Sequence, residues 1–144
     1  MLPTPRAIVI AILLVVTLSG CAPSGRSARH AAQQARNDAA VDAIRDQLMR
    51  APGVVEAQVT YGTDITNAGS TGVSLIVEEG VGFEQANDFA VRTVWLSQLN
   101  PLVAIVVGVG LDEDRTQGIA HDYNRLDDWD ELESRYGPRP VSDD

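Results

Sequence analysis

The chain has 144 residues, a formal net charge of −9, two histidines and a single cysteine. That length suits one domain and not two, and one cysteine leaves no intramolecular disulfide to brace it. A chain this acidic is a poor partner for nucleic acid, whose binding rests on neutralising phosphates.

The N-terminus carries one positive charge at Arg6, an apolar run from Ala7 to Leu18 and then the small residues Ser19 and Gly20. This is the layout of a secretory signal peptide over residues 1–20, expected to be removed. The apolar run is too short for a transmembrane helix, which needs roughly 20 residues. The only cysteine follows at once, and Leu18-Ser19-Gly20-Cys21 resembles the lipobox of bacterial lipoprotein precursors. The resemblance implies a diacylglyceryl group on the Cys21 thiol, cleavage before Cys21 and acylation of the new amino group. Each methylene that enters the bilayer would contribute about 0.8 kcal/mol to the anchor. The expected address is a bacterial membrane, with the domain facing away from the cytoplasm. All the Lys+Arg positions are arginine, the residue usage of a GC-rich genome.

Residues 21–37 contain Arg26, Arg29 and Arg36 and no acid, a charge of +3, whereas residues 38–144 set seven arginines against twenty acids, a charge of −13. With Pro23, Ser24 and Gly25 at its start and no large apolar side chain, the segment 21–37 reads as a lipidated tether. A helix is permitted from about Ala28. The first firm helical signal is Val41, Ile44 and Leu48, ended by Pro52-Gly53.

Val55, Ala57, Val59 and Tyr61 then alternate with polar residues and predict a strand with one buried face. A loop rich in Thr, Asn, Gly and Ser leads to a second strand with Val73, Leu75 and Val77 on one side, and the two form a hairpin. A helix is expected from Phe83 to Leu99, with Phe83, Ala86, Ala90 and Val94 on its stripe, closed by Asn100-Pro101. Residues 102–110 form a continuous apolar run, the pattern of a strand buried on both faces.

The order α-β-β-α-β over residues 38–110 predicts a two-layer α+β domain with a small three-stranded sheet. It resembles small ferredoxin-like domains and the BON modules of bacterial envelope proteins. That resemblance implies adhesion to membranes or to other envelope proteins. The acidic tail, 111–144, predicts a short helix over about 128–136, with Asp127 or Asp128 as its cap and Trp129, Leu132 and Tyr136 as an apolar stripe. Trp129, Leu132 and Tyr136 are the candidate interaction surface. Either this helix covers the second face of the 102–110 strand, or that face meets an envelope protein or a second copy of the chain.

Four patterns invite chemistry. Asp112-Glu113-Asp114 could open a calcium loop, but the sixth and twelfth positions are Gln117 and Tyr123 where glycine and glutamate are needed. Gly80-Val81-Gly82 lies between strand and helix, yet Gln85 takes the third glycine position of a phosphate loop. His121 near Asp122 and Asp127 lacks a second imidazole outside the tether. Trp95 and Trp129 could stack on a sugar, although tryptophans on amphipathic helices more often pack. The expectation is therefore no catalytic residue, no metal and no cofactor. The chain reads as a lipid-anchored, non-enzymatic protein-interaction module, with a ligand-binding lipoprotein for lipid or wall glycan as the alternative.

Overall fold

The computed structural model describes residues 25–62, 66–112 and 117–140. In chain order the elements are α1 (Gly25–Met49), β1 (Val54–Tyr61), β2 (Ser70–Val77), α2 (Phe83–Trp95), β3 (Ala104–Gly110), β4 (Gly118–Tyr123) and α3 (Leu126–Tyr136). The strands form one mixed sheet in the order β1-β2-β3-β4. β1 and β2 pair antiparallel, β2 and β3 parallel, and β3 and β4 antiparallel. The parallel pair is joined by the crossover through α2, as parallel neighbours require.

Alternation along each strand sorts the sheet into two faces. One row runs Val59, Val73, Val107, His121 and the next Ala57, Leu75, Val109, Ile119. These residues face the helices, and all but the half-exposed His121 join Ile44 and Leu48 of α1 and Ala90, Val91 and Val94 of α2 in the core. α1 packs on β1, α2 lies over β3, and α3 flanks α2. No helix among the described residues is long and apolar enough to cross a membrane.

The architecture is α+β, with one four-stranded sheet and three helices, which corrects the expected three-stranded sheet. β4 carries only Ile119 and Tyr123 as inward apolar residues, with His121 between them. It needs no more, because it is an edge strand covered on one side. The boundaries move as well. α1 begins at Gly25, so residues 25–37, expected as a spacer, are helical. Its first turns are exposed, but Asn37 is buried, and the helix is tied to the body from Gln33 onward. In β1 the pairing slips between Val54 and Glu56, which turns Val54 toward the core and leaves Val55 55% exposed. α2 stops at Trp95, short of Leu99, where the Ser97 hydroxyl donates to the Val94 carbonyl at 2.6 Å.

Of the two covers expected for the second face of the sheet, the tail helix is not the one. Its rows are Thr60, Gly72, Val106, Asp122 and Gln58, Ser74, Gly108, Ala120. Outward positions of β3 that read as apolar are mostly glycine or alanine, which have little apolar surface to expose. Val106, 43% exposed, stands among small residues. α3 does not cover this face. It docks on the flank of α2.

Candidate functional site

Arg36, Ala39, Ala40, Ala43, Ile44 and Gln47 recur on α1 at helical spacing and so share one stripe. Phe89, Arg92, Thr93 and Leu96 do the same along α2 and its C-terminal turn. The two stripes face each other across a groove of about 690 Å³. It persists because α1 offers methyl groups at Ala39 and Ala43 where longer side chains would interdigitate with α2. The groove continues into a second hollow of about 640 Å³ bounded by Arg50, Pro52, Val54, Val81 and Gln85. Gln47 and Phe89 line both, so the two form one trough.

Two features set its chemistry. The hydroxyls of Thr93 and Ser97 are turned back onto their own helix, donating to the carbonyls of Phe89 at 2.8 Å and Val94 at 2.6 Å. This leaves the wall less polar than its sequence. Among the described residues the charged side chains of the lining are Arg36, Arg50 and Arg92, with no carboxylate or imidazole. Arg36 donates to Gln33 Oε1 at 2.6 Å. Neither Arg50 nor Arg92 has a carboxylate partner among the described residues. In a region whose charge is −13, this trough is a cationic exception. The arrangement supplies contact area, amide hydrogen bonds and positive charge.

The walls are fixed at both ends. At the Arg36 end, the Asn37 and Gln33 side chains bond to the backbone of Asn100, which holds α1 against the loop after α2. At the other end, Gly53 turns with φ 77°, and an added Cβ would lie 2.5 Å from Val81 Cγ2. Only glycine lets Val81 close over that turn.

The residues singled out in the sequence are dispersed. Leu18, Ser19, Gly20 and Cys21 lie outside the described residues, as do Glu113 and Asp114. Leu132 is buried, and Trp129 and Tyr136 are partly buried against the core. The Trp129 ring lies 5.3 Å from that of Trp95, whose indole donates to the Gly137 carbonyl at 2.8 Å. Leu132 is 2% exposed, and the Tyr136 hydroxyl donates to Asp88 Oδ1 at 2.5 Å. Burial, then the hydrogen bond to Asp88 and the charge of that carboxylate, push the Tyr136 phenol well above its usual range. Arg139 lies over the Trp95 ring, 5.9 Å from its centroid, and burial lowers its pKa.

His121 sits 3.5 Å from Glu84 on the helix side of β4, whereas Asp122 points to the opposite face and accepts from Asn124. Asp127 belongs to the exposed first turn of α3. Among the described residues no group of three or more His, Cys, Asp or Glu side chains is placed to hold a metal. Gly80-Val81-Gly82 is a tight turn into α2 in which Gly80 has φ 93°. The trough went unread in the sequence because its marks were alanines, which signal helix without naming a face.

Set against protein-family models, curated proteins and solved structures, the chain matches none.

Proposed function

We infer that the protein is a lipid-anchored bacterial envelope lipoprotein without enzymatic activity, acting as a protein-interaction module at the outer face of a membrane. The anchor rests on Leu18-Ser19-Gly20-Cys21 behind its apolar run. The interaction module rests on one observation: among the described residues the α1–α2 trough is lined by apolar, neutral polar and cationic side chains, with no carboxylate or imidazole for acid–base work. The alternative, a site for a lipid or wall glycan, draws on the groove's volume of about 690 Å³, which falls within the range of small-ligand pockets.

Crosslinking in cells separates the two. A photo-crosslinking amino acid is placed at Ala43 in the trough and, as control, at Ala120 on the open sheet face. A protein adduct from Ala43 and none from Ala120 is expected. Adducts with lipid or glycan alone would turn the reading to the alternative. In the same cells Cys21→Ala is expected to abolish fatty-acid labelling, and undiminished label would sink the anchor.

A further inference from the structure

We propose that the trough between α1 and α2 receives an acidic amphipathic α-helix of another protein. The proposal rests on the interaction-module reading above and names the partner's chemistry. Length comes first. From Arg36 to Gln47, α1 borders the trough for about 17 Å at the helical rise of 1.5 Å per residue, the length of a helix of about 12 residues.

Shape narrows the occupant further. Among the described residues both hollows of the trough are half open. An acyl chain laid there would keep much of its surface in water, whereas bound small ligands usually bury about 70–90% of theirs. A helix has one apolar face to bury and one polar face to leave wet, which an open groove satisfies. Ala39 and Ala43, one turn apart, let an incoming backbone approach α1 closely, and Phe89 and Leu96 form the opposite wall.

Charge gives the sign. Arg36, Arg92 and Arg50 are distributed along the trough, and Arg50 and Arg92 have no carboxylate partner among the described residues. A helix with glutamates or aspartates flanking its apolar stripe complements Arg50 and Arg92. The acidic remainder of the domain repels the same helix everywhere else, so charge selects this face as well as this partner.

The test uses the full-length lipidated chain in detergent micelles and two peptides of about 15 residues. One is built from Leu, Ala and Glu with leucine on one face, and the other has lysine at every glutamate. Fluorescence anisotropy is expected to show binding of the Glu peptide and none of the Lys peptide. In the double variant Arg50→Glu, Arg92→Glu, whose substituted side chains are exposed, the Glu peptide is expected to weaken about tenfold and the Lys peptide to gain. Ala43→Phe, checked for an unchanged melting temperature, is expected to block the Glu peptide.

Equal affinity for the two peptides, no binding of either, or a preference that survives the double reversal overturns the proposal. So does competition from anionic phospholipid micelles that removes the Glu peptide from the native protein and from the double variant alike. Failure here is distinguishable from failure of the underlying reading. A protein adduct from Ala43 in cells without discrimination between the peptides would leave the interaction module standing and remove the acidic helix.

Discussion

The side-chain amide of Asn37 closes two hydrogen bonds on the backbone of Asn100. Its Oδ1 accepts from the N–H at 3.1 Å and its Nδ2 donates to the carbonyl at 2.9 Å. A buried amide is thus used as a short piece of strand, matching donor to acceptor across two elements far apart in sequence. Gln33 adds a bond of 3.1 Å to the same carbonyl. Asn37→Ala is expected to destabilise the protein by about 2 kcal/mol, since Asn100 loses a donor and an acceptor where Asn37 is only 4% exposed. Asn37→Asp is expected to cost more, because a carboxylate oxygen would then face the Asn100 carbonyl. Urea denaturation of the two variants measures the order, and an equal loss would show that burial rather than pairing sets the cost.

Leu132 is the clamp of the C-terminal helix. It is 2% exposed, and it holds α3 against α2 beside the Trp95–Trp129 pair. Leu132→Ala is expected to cost about 3 kcal/mol through lost burial and a cavity. Because both tryptophans sit at this junction, their fluorescence reports it directly. One transition shifted to lower denaturant is expected. An early tryptophan change followed by separate loss of the sheet would mean that α3 is an independent appendage.

The parts of this fold that periodicity revealed are those buried on one face. Val73, Leu75 and Val77 announced β2, and Ala86, Ala90 and Val94 announced α2, because each set faces the core at the spacing of its element. What remained hidden has physical causes too. β4 is half exposed and spends His121 on an inward position, so its six residues resemble a loop. The outward side of β3 mixes exposed Val106 with buried Gly108 and Gly110, a difference that a hydropathy pattern does not carry. The trough belongs to the space between two helices, and no single segment carries its signal. Val55 alternates correctly in sequence, but the slip in pairing beside it reverses its face.

The Tyr136 phenol has a pKa raised by burial and by donation to Asp88, and this gives stability a sign in pH. The unfolded phenol titrates near about 10, and the folded one higher. The contribution is therefore complete below pH of about 10 and is lost as pH climbs through that value toward the folded pKa. Melting temperatures between neutral and strongly alkaline pH are expected to fall in that window. Tyr136→Phe is expected to cost about 1 kcal/mol at neutral pH and to make the alkaline fall shallower. Some slope remains in the variant, because burial raises Tyr61 in the same direction.

His121 supplies a control on the chemistry of the molecule. Its imidazole is 3.5 Å from the Glu84 carboxylate, with side chains 42% and 76% exposed, and the two form a surface pair. Such pairs contribute about 0–1 kcal/mol. His121→Ala is expected to leave both the melting temperature and binding in the α1–α2 trough nearly unchanged. A large loss of either would mean that β4 reaches the trough's function by a route other than contact.

The open sheet face makes an opposite prediction from the trough. Val106 lies at its centre with Gly72 on one side and Asp122 on the other, so a charge placed there enters a flat surface of small residues and water. Val106→Lys is expected to cost no more than about 1 kcal/mol, the range of strand preference at an exposed site. It is also expected to leave the sedimentation mass and the Ala43 crosslinks as they are. If this face instead joins two copies of the chain, the lysines of both meet near the centre of the contact, and the mass falls to that of one chain. Measuring mass and crosslinks on the same variant therefore assigns any partner to one face or the other: trough contacts survive Val106→Lys and fail in Ala43→Phe, and sheet contacts do the reverse.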